Sequence, residues 1–194
     1  MKKIQLILLL IISAFSFTSC ASYSNKISKK ERLKLTKNNI QKIEGVYEYQ
    51  AFRTFEANRK SMYDVDNDIE NLDYYILGTR LSLNPIKHTV EVKIVSKDKI
   101  SFTFKRNDVF VSERTIKMKL RSNGFLHLKN KHVKVKGIPL LVGGITSDKM
   151  RIGISKNDDL LLNYAHDSFG SFIFFVASRG FNRFHFYKRI NPSL

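Results

Sequence analysis

The chain has 194 residues with 34 lysines and arginines against 17 acidic residues, a formal net charge of +17, and it contains one cysteine. One cysteine excludes an intrachain disulfide, so an oxidising compartment would add nothing to the stability of the fold. The strong positive charge indicates an anionic partner, but no nucleic-acid-binding module is recognised, and we expect no nucleic acid among the partners.

The first 19 residues have the three-part pattern of a secretory signal. Lys2 and Lys3 precede an apolar run over residues 4–17, and the small polar pair Thr18 and Ser19 follows it. The run is shorter than the roughly 20 residues that span a bilayer as a helix. We therefore predict a cleaved signal peptide over residues 1–19 and no permanent transmembrane anchor.

The sequence FTSC at residues 17–20 resembles the lipobox of bacterial lipoproteins. By this resemblance, cleavage makes Cys20 the first residue of the mature chain and its thiol carries a diacylglyceryl group, with a further acyl chain such as palmitate on its amino group. Phe17 stands where the family usually has an aliphatic residue, and an ordinary secreted protein with a chance cysteine is the alternative. Ala21, where an Asp would indicate inner-membrane retention, favours the outer membrane facing the periplasm. The implied partner is membrane lipid.

Residues 20–42 are expected to be a basic tether that leads into a short helix. The segment from 21 to 42 has seven lysines and arginines against Glu31 alone. Such a segment is either attracted to anionic headgroups or is a solvated linker. Thr36 as N-cap, Ile40 and Ile43 on one side and Gly45 as a stop predict the helix.

Beyond residue 43 the apolar period changes to two, which is typical of strands with one buried and one wet face. Turn signals are placed at 84–85, 96–98, 106–108, 122–124, 130–131 and 157–159. Further strands are predicted at 45–51, 74–83, 151–155, 160–164, 171–177 and 184–190, in addition to those around Val133 and Val135. The predicted interior consists of the apolar residues of three alternating runs: Val90, Val92, Ile94, Ile100, Phe102, Phe104, Ile116, Met118 and Leu120.

These patterns predict an all-β domain over residues 43–194. Around ten short antiparallel strands in succession indicate an up-and-down barrel or a strongly curved meander. The domain boundaries are thus 1–19, 20–42 and 43–194.

Both ends of this domain resemble lipocalin-like proteins. IEGVYEY at 43–49 is similar to the Gly-x-Trp opening of that family, with Tyr47 in the place of Trp, and FHFYKRI at 184–190 is similar to its last strand. The resemblance implies that Arg189, or alternatively Arg183, packs across the Tyr47 ring and closes one end of a barrel. These would be residues of the fold and not of a binding site.

Three polar patterns are candidates for chemistry, and none is convincing. Asp64, Asp66 and Asp68 start like a calcium loop that lacks the Gly and Glu it requires, so a solvated acidic loop is favoured. The pair His127 and His132, placed across a predicted hairpin turn, provides too few ligands for zinc. We therefore expect no metal and no cofactor.

The sequence HDSFG at 166–170 brings His166, Asp167 and Ser168 together along the chain, but neighbouring strand residues point to opposite faces. We expect a turn there, and we assign no catalytic residue. A periplasmic hydrolase that uses His166 or His185 is retained only as an alternative.

The segment 137–148 is too apolar for a solvated loop and too interrupted for a regular strand. We predict a loop that covers the sheet, as a lid over a ligand or as a structural plug. The residues concerned are Ile138, Pro139, Leu140, Leu141, Val142, Gly143 and Gly144.

The sequence thus predicts a non-catalytic, lipid-anchored protein of the bacterial cell envelope. It either binds a small hydrophobic ligand or an envelope component, or acts as a scaffold that contacts anionic envelope polymers through its basic surface. The apolar residues alone do not separate a ligand pocket from a packed core.

Overall fold

The computed structural model describes residues 23, 31–57, 62–64, 71–81, 88–138, 142–172 and 175–190. In these residues the chain forms one 3-10 helix (Ile40–Ile43), one short α-helix, α1 (Leu72–Leu77), and twelve strands. The strands are β1 (Arg32–Leu33), β2 (Gly45–Glu48), β3 (Arg53–Ala57), β4 (Met62–Asp64), β5 (His88–Ser96), β6 (Lys99–Arg106), β7 (Val109–Leu120), β8 (Leu126–Ile138), β9 (Val142–Ser155), β10 (Leu160–Phe172), β11 (Phe175–Tyr187) and β12 (Arg189–Ile190).

All of these strands belong to one antiparallel sheet, which confirms the predicted all-β class. Hydrogen bonds connect them in the order β12-β2-β5-β6-β7-β8-β9-β10-β11-β3-β4, and β1 pairs with β9. This path is open, with β12 and β4 at its ends. Of the two predicted forms, the closed barrel is therefore wrong, and the sheet is an open meander. The ladders β12–β2 and β11–β3 are short, with two and four residue pairs.

The meander curls so that its first and last segments lie side by side. Lys188 alone separates β11 from β12, while residues 49–52 separate β2 from β3. Between the two short ladders, the Glu48 amide donates to the Lys188 carbonyl at 2.8 Å and the Phe52 amide donates to the Phe186 carbonyl at 2.9 Å. Since β2 also pairs with β5, one chain segment connects both halves of the sheet.

The tight turns follow the turn chemistry of the sequence. Asn107 and Asp108 have φ values of 49° and 63°, the left-handed pair that a two-residue hairpin turn between β6 and β7 requires. Asp158, with φ of 64°, lies in the predicted turn between β9 and β10. The turn predicted at 130–131 is wrong, because β8 continues through it with an irregularity in its pairing to β9 between Leu128 and His132.

The predicted interior is confirmed. Seven of its nine residues are buried, and Ile94 and Leu120 pack against the same cluster. The buried side chains lie on one face because successive residues of a strand point to opposite sides of the sheet. By the same alternation the lysines of β5–β7 lie on the outer face.

Of the segment predicted as a strand at 74–83, residues 74–77 belong instead to α1, which fills the concave side of the sheet. Residues 82 and 83 lie outside the described part of the chain. Leu72, Tyr75 and Ile76 are buried in the main core. Asn71 precedes the helix and Gly78 ends it with φ of 78°, a left-handed conformation that glycine adopts without strain. The apolar residues at 74–77 therefore lie in a helix of about one and a half turns.

The strands β8–β11 are longer than predicted and extend beyond the core. Asp167 and Ser168 pair with Ser147 and Thr146 in β9, so the turn expected at 166–170 is wrong. The chain reverses instead after Phe172, whose partner is Phe175. Beyond the edge of the core, Val133 and Val135 are half exposed, since no layer formed by the described residues covers this part of the sheet.

No helix of the described residues has the length and apolar character needed to cross a membrane.

The fold predicts a large difference between two aspartate substitutions. Phe102→Asp removes a fully buried ring and buries a carboxylate, so we expect the free energy of unfolding to fall by roughly 3–5 kcal/mol or more. Val95→Asp places the same charge on the neighbouring strand, at a side chain that is 59% exposed, and should change stability by less than about 0.5 kcal/mol. Urea unfolding of both variants checks this, and similar losses would contradict the assigned faces. Ser101 is unsuitable as the control, because it is buried and hydrogen-bonded to Glu113.

Candidate functional site

A second apolar cluster lies on the outer face of the sheet. Leu161 and Phe186, which pair across β10 and β11, alternate along their strands with residues of the main core. Arginines cover this outer cluster. The Arg53 guanidinium lies 4.4 Å from the centre of the Phe186 ring, and Arg151 lies 4.1 Å from that of Phe125. The buried members are Ala57, Phe125, Leu161, Phe184 and Phe186.

Arg151 is the most deeply placed of these cations, with 1% of its surface exposed. Its guanidinium lies between the rings of Phe125 and Tyr23, at 4.1 and 4.2 Å from their centres. Its Nε donates to Asn163 Oδ1 at 2.7 Å, and the Asn163 amide in turn donates to Asn182 Oδ1 at 2.6 Å. Burial lowers the pKa of Arg151 to about 10, so the group stays charged at neutral pH.

A basic cleft of about 280 Å³ opens beside this arginine. The cross-strand row Lys119–His127–Arg151, one residue from each of β7, β8 and β9, runs through it on the outer face. Four of the lining side chains are cationic and none is acidic. The lining residues are Tyr23, Lys119, Arg121, His127, Leu128, Lys129 and Lys149.

His127 reports the electrostatic character of this basic cleft. Burial, with the positive charges of Arg151 and Arg121, lowers its pKa to about 4, so the ring is neutral at pH 7. Its Nε2 atom is buried and has no hydrogen-bond partner among the described residues. The Tyr23 ring meets the His127 ring edge-on, with centroids 5.2 Å apart. The cleft thus combines positive charge with an unsatisfied polar atom.

The chain that leads into the domain is attached to this face. β1 pairs with β9, and Leu35 is buried in the main core. The Lys156 amide donates to the Glu31 carbonyl at 2.8 Å. The tether prediction is therefore wrong for residues 31–35, which pack on the domain, while residues 24–30 lie outside the described part of the chain. The short helix is present as a 3-10 turn that starts at Ile40 and not at Thr36.

The structure brings Tyr47 and Arg189 together. The Arg189 guanidinium lies 4.9 Å from the centre of the Tyr47 ring and donates to the Tyr47 hydroxyl at 2.6 Å. It also donates to the backbone carbonyls of Lys42, Glu44 and Asp158 at 2.5, 2.7 and 3.0 Å. The alternative cation, Arg183, instead forms an ion pair with Glu56 and lies over Phe181.

His185, one histidine of the hydrolase alternative, is fully buried between two hydroxyl groups. Its Nδ1 lies 2.9 Å from Thr54 Oγ1 and its Nε2 lies 2.7 Å from the Tyr75 hydroxyl. Burial, assisted by the charge of Arg183, lowers the pKa of His185 to about 3. With both ring nitrogens hydrogen-bonded in the core, this histidine orients α1 against the sheet.

His166, the other histidine of that alternative, is paired with Asp148 and not with Asp167. Its Nδ1 lies 2.6 Å from Asp148 Oδ1, which also accepts a hydrogen bond from the Tyr164 hydroxyl at 2.8 Å. The His166 ring stacks on Phe181 with centroids 4.8 Å apart. Ser168 lies on the same face two residues further along β10, so the histidine–aspartate pair has a hydroxyl nearby but no described hydrogen bond to it.

The segment expected to form a lid or plug is the end of a hairpin in its described part. Ile138 is the last residue of β8 and pairs with Val142, the first residue of β9. Val142 is 56% exposed and Gly143 and Gly144 continue the strand, so these three residues are part of the sheet and not of a loop over it. The concave face is filled instead by side chains of α1. Pro139, Leu140 and Leu141 lie outside the described residues.

Only some of the residues considered above for metal binding or lipidation lie in the described part of the chain. No cluster of three or more His, Cys, Asp or Glu side chains that could hold a metal occurs in it. Asp64 lies in β4, while Asp66 and Asp68 lie outside the described residues, as does Cys20. His127 and His132 both belong to β8 and do not face each other across a turn.

Sequence reasoning missed the basic cleft and the aromatic rings around Arg151. In the sequence RIGIS at 151–155, neighbouring side chains point to opposite faces of the sheet. Since Ile152 faces the core, this alternation correctly places Arg151 on the outer face. No pattern within a single strand indicates that Phe125 and Tyr23, from other parts of the chain, cover this arginine. The available signal was the concentration of basic residues at alternate positions of β7, β8 and β9.

Comparison of this chain with protein families, with curated proteins and with solved structures gives no match.

The contacts of Arg189 explain why residue 45 is a glycine. A Cβ atom at Gly45 would lie 2.3 Å from an Arg189 Nη atom, so Gly45→Ala must displace the guanidinium and break its hydrogen bonds. We expect a loss of roughly 1–3 kcal/mol in the free energy of unfolding. Gly170→Ala is the control. A Cβ atom at Gly170 would lie 3.9 Å from its nearest contact outside the adjoining residues, so this variant should be neutral or slightly stabilising. If Gly45→Ala costs the same in an Arg189→Ala background, the explanation is wrong.

Because burial keeps His185 neutral in the folded protein, we expect the free energy of unfolding to depend on pH. The folded state holds the pKa near 3, whereas the unfolded chain has a histidine pKa near 6.5. This stabilisation is therefore fully present above about pH 6.5 and is lost as the pH falls toward 3. One proton taken up on unfolding corresponds to at most about 1.4 kcal/mol per pH unit. Urea unfolding between pH 7 and 4 should give a shallower slope for His185→Gln than for the wild type, and equal slopes would refute this.

Proposed function

We propose that this chain is a lipid-anchored protein of the bacterial cell envelope, attached through acylated Cys20, and that its domain is a non-catalytic scaffold that contacts anionic envelope groups. The observation that carries the proposal is the position of Tyr23. Only three residues after the proposed anchor, its ring packs on Arg151 at the basic cleft. The anchor and the cationic face are therefore close together along the chain.

The distribution of side chains supports the scaffold over a hydrophobic-ligand carrier. The concave face is occupied by α1, with Leu72 and Ile76 fully buried, and Tyr75 is hydrogen-bonded in place. A ligand of useful size would have to displace this helix from the core. In contrast, Lys119, Arg121 and Lys129 are exposed on the outer face, where an anionic polymer or surface can reach them.

Catalysis has less support than binding. His185 is buried with both nitrogens hydrogen-bonded, which leaves none for a substrate. His166 and Asp148 are only partly buried, but a nucleophile in hydrogen-bond contact with the histidine is not part of the described arrangement. The binding class is therefore the better interpretation of these polar groups.

We further propose that the fold is an open relative of the lipocalin-like architecture. The contact of Arg189 with the Tyr47 ring supports it, since this is the packing that the resemblance of both chain ends implies. The meander order of β5–β11 is also compatible with it.

The anchor is tested by substituting the cysteine. Cys20→Ala should move the protein from the detergent phase to the aqueous phase in a detergent phase-partition experiment on whole cells, because two acyl chains provide stable membrane binding that a basic segment alone does not. Ser22→Ala keeps the cysteine and is the matched control. Mass spectrometry of the wild type should show a chain that begins at Cys20 and carries acyl groups. Unchanged partitioning of Cys20→Ala would refute the anchor.

A further inference from the structure

The basic cleft has the charge of an anion site. Lys119, Arg121, Lys129 and Lys149 line it, and buried Arg151 lies beneath it with its charge intact at neutral pH. The chain close to the cleft adds little negative charge, because Glu31 is the only acid between residues 21 and 42 and it is paired with Arg53. A cleft with this balance of charge attracts an anion from outside the domain.

The cationic side chains of the cleft are suited to an oxyanion. His127 lines the cleft, and its buried Nε2 atom has no hydrogen-bond partner among the described residues. A phosphate group in the cleft can accept hydrogen bonds from the ammonium and guanidinium groups that line it. The phosphate group is the anion that fits this set, since lysine and arginine both bind it through charge-assisted hydrogen bonds.

The volume of the cleft suits a headgroup and not a whole lipid. Its 280 Å³ equals the space of about nine water molecules at roughly 30 Å³ each. This is room for a phosphate and the small polar group attached to it. A whole lipid with its acyl chains is too large for this volume, and four of the seven lining residues are cationic.

The position of the cleft indicates where this phosphate comes from. Tyr23 is three positions after Cys20, so their Cα atoms are at most about 11 Å apart at full extension. A diacylglyceryl group on Cys20 would place that residue at the level of the lipid headgroups. The cleft would then be within reach of the phosphates of neighbouring lipids in the same leaflet.

We propose that the basic cleft binds the phosphate of an anionic phospholipid headgroup in the membrane that holds the Cys20 anchor, which rests on the proposed function. Binding at this second point orients the domain, with the outer face of β7–β9 against the membrane. The anchor provides attachment, and the cleft selects the lipid.

The test uses the mature full-length protein purified in a non-ionic detergent. It is titrated with short-chain phosphatidylglycerol, short-chain phosphatidylcholine and inorganic phosphate, and binding is followed through the NMR signals of His127. The cleft variant is Lys119→Gln/Arg121→Gln/Lys129→Gln, three exposed cations of the lining. The control variant, Lys97→Gln/Lys99→Gln/Lys136→Gln, removes the same charge from exposed positions outside the cleft.

We expect phosphatidylglycerol to bind at least about tenfold more tightly than phosphatidylcholine, and the cleft variant to lose at least about tenfold in affinity, given about 1 kcal/mol per basic residue. The control variant should change by less than about threefold. Equal losses in the two variants would overturn the proposal in favour of general attraction to the basic coat. Equal affinity for phosphatidylcholine would also overturn it.

The titration with inorganic phosphate distinguishes a lipid headgroup from free phosphate as the source of the anion. Inorganic phosphate that binds as tightly as phosphatidylglycerol would overturn the assignment to a lipid headgroup. Failure of the anchor is recognised separately: if Cys20→Ala leaves membrane partitioning unchanged while the cleft variant still loses phosphatidylglycerol binding, the anchor is wrong and the cleft is right. The opposite pair of results would mean that the anchor is right and the cleft is wrong.

Discussion

The arrangement of this chain depends on the hydrogen bonds of one guanidinium group. Arg189, in the last strand, donates to carbonyl oxygens of the 3-10 helix region at Lys42 and Glu44 and of the β9–β10 turn at Asp158. Its plane also lies over the Tyr47 ring. One side chain thereby fixes the start of the sheet, its end and a turn in the middle. These bonds hold β12 against the chain that leads into β2, and Gly45 leaves the space for them.

Because the sheet curls, its concave face has to be filled, and a short helix does so with polar as well as apolar contacts. The Tyr49 hydroxyl donates to Asp73, which also accepts the Leu81 amide at 2.5 Å. Tyr75 and His185 are joined at the other side of α1. Such hydrogen bonds add little net stability, but they are costly to leave unmade, so they specify one orientation of the helix. A six-residue helix has no stability of its own and depends on this packing.

The features predicted correctly are those determined by neighbouring residues along the chain. The alternation through Val90, Phe102 and Met118 shows which face is buried, and Asn107-Asp108 has the turn chemistry of a hairpin. The predicted strand at 74–83 failed because six residues are too few to separate a helical period from a strand period. Its flanks, Asn71 and Gly78, were the available signal for a helix.

The remaining errors come from tertiary pairing, which a single sequence does not show. Residues 166–170 have the composition of a turn, yet β9 and β11 pair with them on both sides and keep them extended. Closure of the barrel was also a question of long-range hydrogen bonds. The contact of Arg189 with Tyr47 was predictable only through a resemblance, since nothing in the spacing of the two residues implies it.

The outer face holds a buried positive charge against aromatic rings and an amide. Arg151 donates to the amide oxygen of Asn163, and its guanidinium lies 4.1 and 4.2 Å from the centres of the Phe125 and Tyr23 rings. The negative faces of the rings stabilise the cation. The positive field of Arg151 extends to its neighbours in the row. The lowered pKa of His127, next to Arg151 in the same row, is consistent with that field. The same aromatic contact attaches the chain after Cys20 to the domain, so the charge of the basic cleft and its distance from the proposed anchor depend on one residue.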